Sequence, residues 1–409
     1  MADFVNTYDV LGSETLTGKL LDGSLEELKS NHITKIEQYG LAYSPIKNIE
    51  LPNLTTWNNI ASNALMCSGY IFKFEGTSIS GNYGIVSSTI DTLKLPNITS
   101  ITGNSLNNYF LRKIVIGSSS TSTIATLSTA PTTGLANTPF VRTNPHGNAY
   151  VFVPDDLVDQ YKEATNWSLL ADKIKPLSDY SDNYWGDQEY IQDSWEVICQ
   201  NIDNGNYSQY LNKKKFLLVP KVGWAYMVCI AIDTGELADG TGVPKTTWFC
   251  EDIIGALRRM NPSYATNMVG TGSRGGYDET EMKNDYISEI EDNLPTVLKN
   301  NIKTVKKKTY VYRNANGVQE KAHESSERVF SGSYREFFGG TSCENSGEMY
   351  TNVFTDNASR IKYCFSGASR WWLRSSYTSD YYFHMVSSGG FSSYSGASNT
   401  YGVAFGFCI

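Results

Sequence analysis

Apolar residues in the first part of the chain recur in short blocks that share one layout. Ile36, Leu41, Ile46, Ile49 and Leu51 of "TKIEQYGLAYSPIKNIELPN" (34–53) align with Ile101, Leu106, Leu111, Ile114 and Ile116 of "SITGNSLNNYFLRKIVIGS" (100–118). An apolar-x-apolar strand core returns at Ile49/Leu51, Phe72/Phe74, Leu93/Leu95 and Ile114/Ile116, a step of about 22 residues that lies in the leucine-rich-repeat range. The turn after the strand repeats as well, in "LPNLTTW" and "LPNITSI". Alternate side chains of a strand point the same way, so each short strand buries one face on its neighbours and the blocks stack into an array. An irregular sandwich would not repeat strand and turn together.

Such an array needs a terminal cap. "VFVPDDLVDQYKEATNWSLLADKIKPL" (151–177) has the right pattern: a strand ending at Pro154, then Asp155 or Asp156 as helix cap, then Leu157, Val158, Tyr161 and Ala164 on one helical side. A further helical turn follows Asn166 and closes at Pro176, and "SDYSDNYWGD" (178–187) reads as a linker.

From 188 the pattern changes. "QEYIQDSWEVICQNIDNG" carries Ile191, Trp195, Ile198 and Ile202 at helical spacing and stops at Gly205. "KKFLLVP", "WAYMVCIAID" and "KTYVYR" read as strands. "TTWFCEDIIGALRRMNP" (246–262) reads as an amphipathic helix ended by Pro262, and 278–302 as a long helical segment broken at Pro295. The last hundred residues are rich in Gly and Ser with short apolar patches. Helices first and irregular strands later predict an α+β domain.

The 409-residue chain has an ordinary globular composition and a net charge of −8, which does not favour nucleic acid as a partner. Its best basic run, "KTVKKK" (303–308), reads as a solvated segment beside an acidic helix. Seven Cys, at 67, 199, 229, 250, 343, 364 and 408, form no CxxC pair. Reduced core thiols are the default, with one or two bridges among the six after position 190 left open. The start "MADFVNTYDV" lacks the basic and apolar regions of a signal peptide. The apolar stretch 216–232 is interrupted by Pro220 and Lys221, so no membrane insertion is expected.

Catalytic motifs are scarce. "GTGSRG" matches GxGxxG through Gly270, Gly272 and Gly275, but no convincing strand precedes it, and a flexible loop is the better reading. His32, His146, His323 and His384 are scattered. Glu327, Arg328, Arg335 and Glu336 read as a structural ion-pair network. Trp371, Trp372 and Leu373 read as core, with Arg374 bonded to backbone carbonyls or a nearby acid. No catalytic residue, metal site or cofactor is assigned, and no enzymatic activity is expected.

Two resemblances organise these readings. Residues from about 30 to 178, with the ending "VFVPDDLVDQYKEATNWSLLADKIKPLS", resemble BspA-like leucine-rich repeats, which implies binding or spacing. Residues from about 185 to 409 resemble the variable proteins of diversity-generating retroelements, the class to which phage tropism determinants belong. The likeness rests on the frame "SRWWLRS" (369–375) and "YGVAFGFCI" (401–409), with "SWEVICQNIDNG", "TTWFCED", "GGYDETEM" and "MYTNVFTDNASRIKY" in support. It implies a C-type lectin fold, although the EPN or QPD calcium signature is missing. The expected organisation is multidomain: a 1–30 segment of unassigned role, a β-rich leucine-rich-repeat solenoid with helical cap at 31–178, a linker at 179–187 and an α+β C-type-lectin-like domain at 188–409.

The same resemblance implies a diversified surface. Replacing template adenines turns an Asn codon into any codon ending in C or T, which can encode Tyr, Ser, Asp, Gly, Phe, His and Asn among others, but not Lys, Glu, Gln, Met or Trp. The stretch 376–402 obeys this rule except at Met385, placed in a fixed strand. The candidate ligand-binding residues are Tyr377, Ser379, Asp380, Tyr381, Tyr382, His384, Phe391, Ser393, Tyr394, Ser395, Gly396, Ser398 and Tyr401. Tyr with Ser and Gly is also the composition of antibody paratopes, where rigid rings supply area at small entropic cost. The implied function is a phage or prophage receptor-binding protein in the virion tail, partnered by a bacterial surface receptor and other tail proteins, with homo-oligomerisation open. A bacterial cell-surface adhesin is the alternative, and an enzyme acting on surface material comes third.

Overall fold

One buried side chain per block forms a continuous row through the front of the molecule. In the computed structural model, Leu28, Ile49, Phe72, Leu93, Ile114, Val151 and Ile174 are paired in register across neighbouring parallel strands, and all seven are buried. The strands are β1 (Glu27–Lys29), β2 (Asn48–Glu50), β3 (Ile71–Lys73), β4 (Thr92–Leu95), β5 (Lys113–Ile116), β6 (Tyr150–Val153) and β7 (Ile174–Pro176), ordered by sequence in one seven-stranded parallel sheet. The structure describes residues 9–11, 27–44, 46–81, 84–102, 106, 108, 110–128, 150–182, 190–340, 347–364 and 366–409. Most of the first 30 residues, linker residues 183–187, His146 and Cys343 lie outside that set. The chain divides into two compact units, Met1–Gln188 and, apart from residues 365–367, Glu189–Ile409.

In the first unit the repeated turns are tied by side chains that reach back one block. Asn53 donates to the carbonyl of Asn31, and Asn97 donates to that of Glu75 at 3.0 Å. Buried Asn108 donates to the carbonyls of Ile85 and Ser88 at 2.7 and 3.0 Å. Each such bond satisfies a turn carbonyl that a strand ladder leaves open. A second, three-stranded parallel ladder joins Ser78–Ile79, Ser100–Ile101 and Thr126–Leu127. Leu157, Tyr161 and Trp167 pack against the same core from the segment around helix α1 (Val158–Glu163). The capping reading differs here. Asp155 opens a short 3-10 turn and its carboxylate instead accepts from the Ser178 amide at 2.9 Å, while Pro176 ends strand β7 rather than a helix.

In the second unit, helix α2 (Trp195–Asp203) begins at Ser194, whose hydroxyl accepts from the Val197 amide at 3.3 Å, and buries Trp195, Ile198, Cys199 and Ile202. Ile191 precedes it. Strands β8 (Lys214–Val219), β9 (Gly223–Ile232) and β10 (Thr246–Cys250) follow in antiparallel order. The amphipathic helix expected at 246–262 is therefore a strand in its first part. All five residues of β10 are buried, and a strand covered on both faces shows no alternation to read. The 278–302 segment is helical in pieces: a π-helical turn at Met282–Ile287, α3 (Ser288–Asn293) and α4 (Thr296–Asn301), with Pro295 at the break.

Later elements include strands β11 (Val305–Val311), β12 (Glu320–Glu327) and β13 (Val329–Ser331), helix α5 (Tyr334–Phe338), strands β14 (Trp371–Ser376), β15 (Tyr382–Val386) and β16 (Ser392–Gly396), and β17 (Phe405–Cys408). Strand β17 lies between β10 and β13, with Phe407 opposite both Trp248 and Val329. The "FGFC" run is thus the inner rung of a five-stranded sheet ordered β8-β9-β10-β17-β13.

Charged residues bury where they meet a partner. Arg374 grips Glu336 with two bonds of 2.8 and 2.9 Å and donates to Thr309 Oγ1 at 2.7 Å and to the Ser331 carbonyl. Lys307 stands 3.3 Å from the same carboxylate and 3.1 Å from the Tyr350 hydroxyl. So the 303–308 run is not uniformly solvated: Lys307 points inward while Lys306 and Lys308 stay half-exposed. Burial alone would raise the Glu336 carboxyl; the Arg374 and Lys307 charges hold it below its ordinary value. Nor do the four charged residues of 327–338 form one network. Glu327 pairs with Lys283 at 2.7 Å, Arg328 with Glu291 at 2.7 Å, and Arg335 donates to the Gly347 carbonyl at 3.0 Å.

Glu336→Ala leaves Arg374 and Lys307 buried without their counter-charge, and the expected loss is about 3–5 kcal/mol, measured as a lower denaturant midpoint of the second unit. A second expectation concerns His323, which bonds to both Asp278 and Glu320. Those bonds, against burial, push its imidazole from 6.5 up to about 9. The stabilisation is whole below the unfolded value, fades as pH rises, and is gone above the folded one. His323→Gln therefore lowers the denaturation midpoint at neutral pH and leaves it unchanged at about pH 10, above the folded value.

Candidate ligand-binding face

Strands β14, β15 and β16 form an antiparallel sheet in that order. Along β15, Phe383, Met385 and Val386 are buried while Tyr382 and His384 are not, the alternation expected of a half-covered strand. Tyr382 pairs with Gly396 and His384 with Tyr394, so these four share the outer face. Phe383 pairs with Ser395 and Met385 with Ser393, on the side of the core.

The outer face carries a chain of rings. Tyr377 stacks on Tyr394 at 3.9 Å between centroids and lies 5.2 Å from His384. Tyr382 lies 5.4 Å from Tyr394 and 5.9 Å from Tyr381. Tyr381 and Tyr382 are 52% and 37% exposed, Tyr394 47% and Phe391 60%. Rings with half their area in water form a patch of the kind that marks a contact surface.

The segment leading into β15 is held through its backbone. Tyr377 donates to the Tyr382 carbonyl at 2.9 Å and Ser379 to that of Tyr377 at 2.8 Å. Ser273 donates from its hydroxyl to the Ser379 carbonyl at 2.6 Å and from its amide to the Asp380 carbonyl at 2.8 Å. Ala397 donates to the Tyr381 carbonyl at 3.0 Å. Only a glycine fits at 272: its φ is +51° and a Cβ would stand 2.1 Å from the Asp380 carbonyl oxygen. Residues 271–275 are accordingly a buried support and not a flexible surface loop: Ser273 is committed to this segment, and the amides of Gly272, Arg274 and Gly275 bond to the carbonyls of Pro262, Thr271 and Arg313. At the opposite end of β15 the hairpin turns through Gly390, whose φ is +78° and where a Cβ would meet the Asn357 carbonyl at 1.7 Å.

None of the thirteen candidate positions is fully buried, although Asp380 and His384 each keep a polar atom out of water. Tyr377, Tyr381, Tyr382, His384 and Tyr394 come together, with Gly396 on the same face. Ser379 and Asp380 sit in the supported segment, Phe391 at the hairpin tip and Ser398 in the turn after β16. Ser393, Ser395 and Tyr401 belong to the other face, where Ser395 and Tyr401 share a 3.0 Å hydroxyl contact and Tyr401 packs 4.9 Å from Trp372. Three rings outside the candidate set extend the row. Tyr264 lies 4.4 Å from Tyr381, and Tyr334 lies 4.5 Å from His384 and 5.2 Å from Phe338. Tyr334 and Phe338 are four apart on α5, a spacing that puts both on one helical side and offered a signal in the sequence. Tyr264, in a loop, offered none.

The face is almost without charge. Asp380, the one acid in the set, faces Arg313 at 3.4 Å, and its Oδ1 has no partner. Burial pushes the His384 imidazole down to about 4, so it is neutral at physiological pH. Among the described residues no group of three His, Cys, Asp or Glu could hold a metal ion, the six described cysteines are free and buried, and no helix is long and apolar enough to cross a membrane. The arrangement offers rings and hydroxyls for noncovalent contact.

A family model described as a domain of unknown function, DUF6273, matches residues 166–409. No curated protein and no solved structure matches the chain.

His384 gives a direct check on the electrostatics. Its ring is expected to titrate near the depressed value of about 4 by NMR, and the stability tied to its neutral form is present above its unfolded value and lost as pH falls through the folded one. A midpoint near the unperturbed value would contradict the packing of Tyr334 and Tyr377 around it.

Proposed function

We propose that this chain, which belongs to the DUF6273 family, is a phage or prophage receptor-binding protein that recognises a bacterial surface ligand through an interchangeable aromatic face. The observation that carries the reading is the outward row Tyr381, Tyr382, Tyr394 and Tyr377 on a segment whose path is set by backbone bonds. Side chains there can change without removing the bonds that shape the loop. The amino-acid composition of 376–402 supports the same reading, because it is compatible with adenine-directed diversification of Asn codons.

On this reading the second unit is a C-type-lectin-like display domain, and the in-register parallel ladder of the first is a leucine-rich-repeat spacer or attachment module. Binding is noncovalent. Rigid rings contribute roughly 1–2 kcal/mol or more each when a partner covers them, and many copies on one particle strengthen weak single sites.

Replacing Tyr381, Tyr382 and Tyr394 together by Ala is expected to weaken attachment to receptive bacterial cells by roughly tenfold or more while the melting temperature holds. Undiminished attachment by a folded triple variant overturns the reading. Sequencing the locus in sister isolates is the companion measurement: substitutions gathered at the candidate positions support diversification, and even variation across the domain opposes it.

A further inference from the structure

The ring row does not stop at the interchangeable segment. It passes from Tyr381 to Tyr264, and Tyr264 lies in a loop whose far end presents Met268, one of the most exposed large apolar side chains of the molecule. That exposure does not come from a loose loop. Thr271 Oγ1 accepts from the Ala265 amide at 3.1 Å and donates to the Met268 carbonyl at 2.7 Å. The Met268 amide donates to the Ala265 carbonyl at 3.1 Å, and Gly272 closes the loop on the Pro262 carbonyl at 2.9 Å. Asn261 adds a bond to the Gly272 carbonyl at 3.1 Å. An unbranched thioether is thus held out in water on a braced loop that continues the aromatic face.

We propose that residues 262–268 form a constant wing of the binding face, which docks a protein ligand through Tyr264 and Met268 whatever side chains occupy positions 377–394. The inference rests on the reading of the face given above and adds a division of labour to it. Met cannot arise from the codon substitutions that account for the segment 376–402, so Met268 belongs to the unvarying part. A flexible, polarizable side chain adapts to differently shaped partners, and Met with Tyr is enriched in the cores of protein–protein contacts. The lack of charge on the adjoining face fits the same kind of partner. The wing also braces what it flanks: the Gly272–Ser273 turn that closes the loop holds the Ser379 and Asp380 carbonyls, so the fixed and the changeable parts keep one spacing.

The test is a display library of the full chain with positions 377, 381, 382, 384 and 394 randomised, selected in parallel against lysozyme and against dextran. In each of several unrelated lysozyme binders, Tyr264→Ala and Met268→Ala are expected to weaken binding about fivefold or more, with the melting temperature of Met268→Ala unchanged. Dissociation constants within a factor of about two of the parent in every binder overturn the wing while leaving the face intact. Binders to dextran alone overturn the commitment to a protein ligand. A library that yields no binder to either probe overturns the underlying reading and the wing with it.

Discussion

The second unit depends on one buried ion pair. Arg374 lies on strand β14, an edge strand of the sheet that carries Tyr382, His384 and Tyr394; Glu336 lies on helix α5, which carries Tyr334 and Phe338. The two-pronged grip between them fixes the sheet against the helix, so rings from both elements meet around His384. Removing two charges from water is expensive, and the arrangement offsets that cost with a full set of partners: Thr309, the Ser331 carbonyl, the Ser333 amide and Lys307. A hydrophobic substitute would fill the space but would not dictate one orientation of α5 relative to β14.

Above this pair, the path of the chain and its exposed face draw on different atoms. Main-chain bonds and the two glycines at 272 and 390 set the path of 377–391, and the side chains projecting from that path touch mainly one another. Trp371, Trp372 and Leu373 of β14 and Phe383 and Met385 of β15 are all buried. Change is tolerable where it is exposed and costly one residue away, because successive residues of a strand face opposite ways.

What the sequence disclosed follows from the same physics. The repeat at Ile49, Phe72, Leu93 and Ile114 was readable because each block reuses one apolar spacing, and those residues do occupy one register row. Leu28 belongs to that row too, yet Ser30 stands where the other blocks carry their second apolar strand residue, so the repeat is broken there. Strand β10 was mistaken for helix because burial on both sides erases alternation. The partial exposure of the thirteen candidate residues was legible through composition; composition does not say which side of a strand a residue takes, so Ser393, Ser395 and Tyr401 were grouped with rings they do not join. Tyr264 and the buried role of Lys307 depend on distant segments folding together, which no local pattern encodes.

Strand β17 lies between β10 and β13, yet it is encoded downstream of all thirteen candidate positions. A chain cut short anywhere in 377–401 therefore lacks the rung that joins β13 to the rest of the five-stranded sheet. It cannot complete its core. Any molecule that presents the exposed rings on a folded scaffold has therefore been translated through to its buried last strand.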